Sequence, residues 1–172
     1  LLLVLFIYVL LKNRREFKNT EERLISVLDS TAEGIYGMDL DGRCIFANKS
    51  CIQMLGYEDE SDLIGKNVHQ LIHHSYNDGS SYPLEQCQIL KSVLEGGNYH
   101  SSEEVFWRAD GSSFNVEYRS SPKYLNGKIN GGVVTFNDIT DRIKVEEKIK
   151  YLSYHDPVTG LYNLTFLYEE IK

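Results

Sequence analysis

The stretch GIYGMDLDGRCIFAN, residues 34–48, is the part of the sequence that most strongly determines the expected fold. Its apolar residues recur with a period of two on either side of the Asp-Gly pair at 41–42, where both turn positions can take a positive φ. Such a pattern predicts two antiparallel strands joined by a tight turn. The same pattern recurs around Asp-Gly at 110–111 and Asn-Gly at 126–127. We therefore expect about five antiparallel strands, two before and three after a middle section.

One face of the later strands is expected to be dry. Phe114, Val116 and Tyr118 alternate with polar residues, which places these three side chains on the same face of the sheet. The middle section reads as short helices, of which two have Asn48 and Ser61 as N-caps. The helices are expected to cover the dry face, because a sheet with one apolar face must bury that face against another layer.

A longer helix is predicted over residues 83–95, immediately before the third strand. Its first residue is a proline, which the first turn of a helix tolerates, and two glycines follow its end. Three of its side chains, Cys87, Leu90 and Leu94, fall on one helix face. This face is expected to lie on the dry face of the sheet.

Two strands, a helical crossing and a three-stranded meander make an α+β layout with the helices on one face of the sheet. With this order and spacing, the sequence resembles a PAS domain, a sensory module common in bacterial signalling. The resemblance rests on EGIYGMDLDGRCIFANKSCIQMLGY, LIGKNV, WRADGSSFNVEY and the strand end DIT at 138–140. It implies a PAS sensory domain over residues 33–139.

The net charge and the cysteine pattern narrow the range of possible functions. The chain of 172 residues has a net charge of −7, whereas nucleic-acid binding needs a concentrated basic face. We therefore expect no nucleic-acid partner. Three cysteines without a CxxC pair fit a reducing compartment better than a disulfide framework, and each is expected to be a small buried apolar residue.

The amino-terminal stretch LLLVLFIYVLL carries no charge and, as a helix, would span about half of the hydrocarbon core of a bilayer. Basic residues follow at Lys12, Arg14 and Arg15, which marks the cytoplasmic side by the positive-inside tendency. We predict that residues 1–12 are the end of a transmembrane helix in the inner membrane, with the PAS domain in the cytoplasm. The alternative is a buried core helix.

Two amphipathic helices are expected to flank the domain, an entry helix over residues 13–32 and an exit helix over residues 140–154. Their apolar residues recur at spacings of three, four or seven, which is typical of a short coiled coil or of a helix packed on its own domain. We predict a parallel homodimer through the entry helix, extended by the exit helix. The apolar residues are Phe17, Leu24, Leu28 and Ala32 in the entry helix and Val145, Ile149 and Leu152 in the exit helix.

Asp138 and Thr140 stand where the last strand passes into the exit helix. The Thr140 hydroxyl is predicted to cap this helix by accepting a hydrogen bond from a backbone N–H two or three residues on. The PAS resemblance implies, in addition, that the sequence DIT at 138–140 is the joint through which the sheet moves the exit helix.

Residues 155–172 begin with HDPVTGLYN, in which Pro157 disfavours a continued helix. This stretch resembles the first motif of the GGDEF domain, the diguanylate cyclase module, whose usual opening is D-x-L-T-G-L-x-N-R. Leu164 stands where that motif has an arginine. The matching residues are Asp156, Thr159, Gly160, Leu161 and Asn163.

The second resemblance implies that a GGDEF domain starts in residues 155–172 and that its metal-binding carboxylates, guanine contacts and GG[DE]EF loop lie beyond residue 172. The chain would then hold no catalytic residue, and its parent protein would make cyclic di-GMP from GTP. The alternative is a ligand-free dimerisation relay in a parent whose GGDEF domain is degenerate and whose output is cyclic di-GMP phosphodiesterase activity.

Neither a haem nor a flavin is supported by the sequence, and an unknown small ligand stays possible. Haem-binding PAS domains carry a ligating histidine on the helix before the third strand, and flavin-binding ones carry a reactive cysteine in an NCRFL-type motif; this sequence has neither. Two interpretations stay open, a pocket for an unknown small organic ligand and a core filled by the domain's own side chains. The pocket would be lined by Cys87, Leu90, Leu94, Phe114, Val116 and Tyr118.

His69, His73 and His74 raise the question of a metal ion, because residues at i and i+4 can share one ligand face. A site needs about four ligands. No cysteine or second acidic residue stands suitably near these histidines in the sequence, so we expect no metal site.

Overall fold

The computed structural model describes residues 2–170, and within that range leaves aside the side chains of residues 2–5, 7, 9 and 170. Helices flank a central domain of five strands and short helices. In chain order the elements are α1 (Leu2–Asp29), β1 (Gly34–Met38), β2 (Cys44–Ala47), α2 (Lys49–Leu55), a 3-10 turn (Glu60–Asp62), α3 (Val68–Ile72), a 3-10 turn (Leu84–Gln86), α4 (Gln88–Glu95), β3 (Tyr99–Trp107), β4 (Ser113–Leu125), β5 (Lys128–Asp138), α5 (Thr140–Tyr154) and α6 (Leu164–Glu170).

The strands form one antiparallel sheet in the order β2-β1-β5-β4-β3. The hairpins lie where the Asp-Gly and Asn-Gly pairs predicted them. In the turn between β4 and β5, Asn126 and Gly127 both have positive φ, 51° and 76°, which matches the right-handed twist of the flanking strands. The predicted α+β architecture with five antiparallel strands is therefore confirmed.

The inner face of the sheet carries the core. Phe114, Val116 and Tyr118 of β4 are buried there, as their alternation predicted, together with Tyr36 of β1 and Phe136 of β5. Helices α2 and α4 pack against the sheet, and their buried residues belong to the same core. The helices of the domain are thus gathered on one face of the sheet. A candidate binding site lies between α3, α4 and β1.

The middle section contains two short helices whose caps differ in part from the prediction. Asn48 caps α2 as predicted, by accepting from a backbone N–H of its first turn. Ser61 is not a cap, because it lies inside the 3-10 turn whose N-cap is Asp59. Asn67 caps α3 instead. Asp59 is the better acceptor, since it also forms a capping box with Asp62.

The helix predicted over residues 83–95 is broken at Cys87. This residue has an extended backbone (φ −62°, ψ 107°) and is the N-cap of α4, which begins at Gln88. The residues after Pro83 form a 3-10 turn of their own. The break gives α4 its own rotation on the sheet, with Ile89 and Val93 turned into the core.

Helix α1 is continuous across residue 12, where the sequence predicted a boundary between a membrane segment and a linker. It ends at Asp29 rather than at residue 32, because the hydroxyls of Ser30 and Thr31 donate to carbonyls of its last turn, at 2.7 Å and 2.9 Å. Ala32 therefore lies outside the helix. Among residues 2–170, no helix is long and apolar enough to cross a membrane. The prediction for residues 1–12 concerns only the end of a span and stays a prediction.

Candidate functional site

A small cavity lies between β1, α3 and α4, near the predicted ligand pocket. Its volume for a water-sized sphere is about 10 Å³, which is room for about one water molecule. Sites for organic ligands usually measure about 300 Å³ or more, so this cavity has no room for such a ligand in the observed conformation. Its lining includes Tyr36, Met38, Asn67, His69, His73, Cys87, Ile89 and Leu90.

The predicted pocket residues are only partly brought together. Cys87 and Leu90 line the cavity, whereas the three predicted residues of β4 are buried in the core and do not line it. The prediction for Leu94 is wrong, since its side chain is 53% exposed. The break before α4 is the reason, because it turns Ile89 and Val93 inward in place of the predicted face.

His73 joins Cys87 and Glu104 in a buried polar cluster beside the cavity. Its ring is 2% exposed, and its Nε2 donates to Glu104 Oε2 at 2.6 Å. Its Nδ1 is 3.6 Å from Cys87 Sγ. Tyr118 donates its hydroxyl to the other Glu104 oxygen at 2.9 Å. The cluster therefore links the end of α3 to β3, β4 and the start of α4.

The charged forms of this cluster stabilise one another. Burial alone would raise the pKa of the Cys87 thiol, but the neighbouring His69 and His73 rings outweigh burial and lower this pKa to about 6. Burial also opposes the charged forms of His73 and Glu104, yet their contacts raise the pKa of His73 and lower the pKa of Glu104. The other two cysteines behave as the buried apolar residues that were expected, because burial raises the pKa of both thiols.

The expectation that no cysteine lies near the histidines is wrong. One ligand-type atom from each of His69, His73 and Cys87 lies within 4.8 Å of the other two. His69 Nε2 donates to the Tyr82 carbonyl at 2.9 Å, and its Nδ1 is buried without a hydrogen-bond partner among the described residues. His74 instead stacks on the ring of Trp107. Separation along the chain hid this cluster, since Cys87 follows His73 by 14 residues.

Asn48 forms an entry joint between α1 and the domain. Its Oδ1 accepts from the N–H groups of Ile35 and Cys51, at 2.8 Å and 2.9 Å. Its Nδ2 donates to the carbonyls of Leu28 and Glu33, both at 2.9 Å. The residue is only 3% exposed. The end of α1 is thus held by a buried side chain at the start of α2.

Arg108 forms an exit joint at the other end of α2. Its Nε donates to the Met54 carbonyl at 2.9 Å, and its Nη2 donates to Asp138 Oδ2 at 2.7 Å. Its guanidinium carbon is 4.3 Å from the centre of the Phe114 ring. Asp138 Oδ1 accepts from the N–H of Thr140, at 2.9 Å. Helix α2 therefore contacts the entry joint with its start and the exit joint with its end.

The prediction that the Thr140 hydroxyl caps the exit helix is wrong. Thr140 is the first residue of α5, and the N-cap, Ile139, makes no side-chain cap bond. The Thr140 hydroxyl oxygen accepts instead from the Asn115 N–H of β4, at 3.1 Å. Asp138 supplies the side-chain acceptor at the helix start. Both predicted coupling residues therefore bind the exit helix to the sheet, although Thr140 does so by a different contact.

Residues 155–163 form a turn that is fastened to the end of α5. Asp156 Oδ1 accepts from the N–H of Thr159 at 2.8 Å and from its hydroxyl at 2.9 Å. Asn163 Nδ2 donates to the Ser153 carbonyl at 2.9 Å, and its Oδ1 accepts from a backbone N–H of α6 at 3.0 Å. Asp156, Thr159 and Asn163 thus fix how the chain leaves α5.

The other two residues of the predicted GGDEF-start motif complete this turn through the backbone. Gly160 donates its N–H to the carbonyl of Asp156 at 2.8 Å, and the N–H of Asp156 donates to the carbonyl of Leu161 at 2.7 Å. The side chains of Leu161 and Leu164 are exposed, at 70% and 69%. The turn is therefore closed by polar and backbone contacts, while its apolar side chains face outward.

Comparisons with known proteins agree with this architecture. A family model described as the PAS fold matches residues 22–139. The crystal structure of the PAS domain of a protein from Colwellia psychrerythraea is similar with a TM-score of 0.58 and 22% identity, over 72% of this chain and 99% of that chain. This likeness concerns the fold.

Two relatives extend the comparison beyond the sheet. A probable diguanylate cyclase, DgcE, of Escherichia coli (strain K12) is 24% identical over 156 residues, covering 88% of this chain and 13% of that protein. The diguanylate cyclase DgcM of the same organism is 26% identical over 134 residues, covering 72% and 28%. The chain therefore spans less than a third of either relative. A match over 88% of the chain must run past residue 139 into α5.

Proposed function

Because the chain belongs to the PAS fold family, we propose that it is the sensory and dimerisation module of a bacterial signalling protein and relays a signal to a C-terminal diguanylate cyclase domain. That domain would make cyclic di-GMP from GTP, with catalytic residues beyond residue 172. The observation that carries this proposal is the fastened turn at residues 155–163, which follows α5 directly and has the GGDEF-start residues. The diguanylate cyclase relatives support it.

The proposed relay runs through α2. Asn48 at its start contacts the end of α1, and Arg108 connects the Met54 carbonyl at its end to Asp138. A displacement of α1 would therefore be transmitted to the first turn of α5 by hydrogen bonds at both ends of a two-turn helix. This route needs no ligand.

The first prediction concerns the exit joint. In the full-length parent, Asp138→Ala and Thr140→Val should each change cyclic di-GMP production several-fold and flatten its response to stimulus. Thr140→Val loses one bond between α5 and the sheet, and Asp138→Ala loses one such bond and the ion pair with Arg108, at a cost of about 1 kcal/mol for each contact. The melting temperature of the sensor should therefore fall by only a few degrees. The measurement is cyclic di-GMP production from GTP by each purified variant.

Ser113→Ala is the control for this prediction. Ser113 opens β4 beside the exit joint, but it takes no part in the bonds of Arg108, Asp138 and Thr140. Regulation should therefore stay as in the unaltered parent. Unchanged regulation in both joint variants would mean that the signal bypasses this joint. A parent that makes no cyclic di-GMP would overturn the cyclase proposal itself.

We propose a parallel homodimer through α1. Phe17 and Leu24 are 73% and 61% exposed in the single chain, so they do not pack on their own domain, and Leu28 is half-buried. Because a helix turns by about 100° per residue, these three side chains lie on one stripe. On α5, apolar side chains are exposed as well, and they would extend the dimer. They are Val145, Ile149 and Leu152, which are 56%, 63% and 43% exposed.

The second prediction tests this dimer. Replacing both Leu24 and Leu28 by Glu should convert the full chain from dimer to monomer, because it would bury unpaired like charges in the seam. Sedimentation velocity measures the outcome. The matched control replaces Asn19 and Ser26 by Glu, which adds the same charge to the opposite face of α1 and should leave the dimer intact. A monomer before any substitution would rule out the proposed dimer.

The location is also a proposal. The uncharged residues 1–11 followed by Lys12, Arg14 and Arg15 support a membrane anchor with the PAS domain in the cytoplasm. Anchoring would place both α1 helices of a dimer side by side. Membrane fractionation of the full-length parent tests the anchor, and a parent found only in the soluble fraction would contradict it.

A second candidate function is favoured by the size of the cavity. With about 10 Å³ beside Cys87, the domain would serve as a dimerisation relay without an organic ligand. Its parent could then have a degenerate GGDEF domain and cyclic di-GMP phosphodiesterase output. Mass spectrometry of small molecules released from the purified protein tests this candidate, and a stoichiometric organic ligand would contradict it.

A further inference from the structure

Three side chains of types that commonly bind transition metals converge beside the cavity. His69 and His73 lie one turn apart at α3, and Cys87 is the residue before α4. One ligand atom from each lies within 4.8 Å of the other two. His73 and Cys87 are nearly fully buried, at 2% and 3% exposed. The cluster combines two imidazoles with one thiol, which is a ligand set that suits zinc.

The Nε2 atoms of His69 and His73 already make hydrogen bonds. Nε2 of His69 faces the Tyr82 carbonyl at 2.9 Å, and Nε2 of His73 faces the Glu104 carboxylate at 2.6 Å. Both partners are acceptors, so each Nε2 carries a proton, and each ring, when neutral, has its lone pair on Nδ1. Metal-binding histidines are usually held in this way, with the other ring nitrogen donating to a carbonyl or carboxylate.

The Cys87 thiol cannot donate a hydrogen bond to both histidine rings. Cys87 has one proton and can donate it to one Nδ1, and the contact with His73 Nδ1 at 3.6 Å fits that role. If the proton moves to His73, the remaining thiolate has no proton to donate to His69. In either case His69 Nδ1 is left buried without a donor, as observed among the described residues. A cation at the centre of the cluster would satisfy all three ligand atoms together.

We propose that His69 Nδ1, His73 Nδ1 and Cys87 Sγ form a Zn²⁺ site in the core of this domain. Binding would replace the thiol proton, which leaves to solvent, by a zinc–thiolate bond. Tetrahedral zinc, with Zn–N about 2.0 Å and Zn–S about 2.3 Å, puts a nitrogen and a sulfur ligand roughly 3.5 Å apart. The Cys87–His73 pair already has this spacing, at 3.6 Å. The fourth position would fall to a water, for which the adjacent cavity has room.

The site would tie α3 to the start of α4, and through Glu104 to β3. These elements border the face of the sheet that carries the core, so zinc occupancy would stiffen that face. The inference stands apart from the proposed cyclase output, because it concerns binding by this chain alone.

The test uses Co²⁺ as a spectroscopic probe of the full chain under reducing conditions. One equivalent of Co²⁺ should give thiolate-to-cobalt absorption in the near ultraviolet and the visible bands of a tetrahedral ion, and one equivalent of Zn²⁺ should remove both. The dissociation constant for Zn²⁺ should be on the order of 1 µM or tighter. The melting temperature should rise with Zn²⁺, since the ion binds the folded state.

Variants identify the ligands. Cys87→Ala should abolish the thiolate band, and His69→Gln should weaken Co²⁺ binding at least about 100-fold. Glu104→Gln, which keeps all three ligands, should weaken it about 10- to 100-fold through the orientation of His73. The matched controls are Cys51→Ala, at a buried cysteine outside the cluster, and His74→Gln, at the adjacent histidine. Both should bind as the unaltered chain does.

Three results would overturn the proposal. The first is the absence of a thiolate-to-cobalt band in the unaltered chain. The second is a band that persists in Cys87→Ala or disappears equally in Cys51→Ala. The third is unchanged affinity in His69→Gln, a half-buried position that also serves if Cys87→Ala fails to fold.

Discussion

Asn48→Ala should destabilise the domain by about 3 to 5 kcal/mol, because one buried side chain satisfies four backbone groups. The substitution removes the acceptor for the N–H groups of Ile35 and Cys51 and the donor to the carbonyls of Leu28 and Glu33. A buried polar group left without a partner costs about 1 to 3 kcal/mol, and loss of the α2 cap adds about 1 kcal/mol. Chemical denaturation, followed by circular dichroism, measures the change.

Asn67→Ala is the matched control for this prediction. Asn67 also caps a short helix, because its Oδ1 accepts from the Gln70 N–H at 3.1 Å, but Asn67 is only half-buried. Its loss should cost about 1 kcal/mol. Equal costs at Asn48 and Asn67 would show that the entry joint adds nothing beyond an ordinary cap.

Asn48 also shows how far the sequence could predict the structure. Its role as the N-cap of α2 follows from local rules, because the acceptor and the N–H that it satisfies are three residues apart. Its bond to Leu28 joins residues 20 apart, and no local pattern signals that contact. The β4–β5 hairpin was predictable for the same reason as the cap, since its two-residue turn at Asn126 and Gly127 fixes the register of its own strands.

The candidate site was predicted less well because its geometry is long-range. The apolar residues after Cys87 form a broad stripe, in which Ile89 and Val93 lie beside the predicted pair of Leu90 and Leu94. With the helix broken at Cys87, Ile89 and Val93 are buried instead. The same break turned Cys87 from a helix residue into an N-cap that faces His73.

At Thr140 the N-cap rule gave the wrong contact because a neighbouring residue, Asp138, accepts the first N–H of the helix instead. Threonine is a good N-cap, but Asp138 accepts from the first N–H of α5, which places Thr140 inside the helix. Its hydroxyl oxygen then serves the free N–H of Asn115 at the start of β4. The two residues that the resemblance indicated do bind α5 to the sheet, and their role in coupling stays a prediction. The contact that Thr140 makes could not be predicted locally, because its partner lies on the neighbouring strand.

Gly131→Ala should cost at least about 4 kcal/mol and could remove cooperative unfolding, since domains of this size are stable by only about 5 to 15 kcal/mol. Gly131 lies in β5 at φ +144°, a conformation that residues with a side chain rarely adopt. A Cβ added there would lie 2.2 Å from the carbonyl oxygen of Met38 and 3.3 Å from the Cα of Asp39. Both atoms belong to the backbone next to β1, so no side chain can rotate away to relieve the overlap.

Gly127→Ala separates this overlap from the cost of positive φ alone. Gly127 has φ +76° in the turn between β4 and β5, and a Cβ there would meet no atom within 4 Å. Its replacement should therefore cost only about 1 to 2 kcal/mol, the usual penalty for a left-handed residue with a side chain. Thermal unfolding of both variants, monitored by circular dichroism, gives the comparison. Similar melting temperatures for the two variants would mean that β1 and β5 can move apart at Gly131. The close approach of these two strands would then not explain why residue 131 is a glycine.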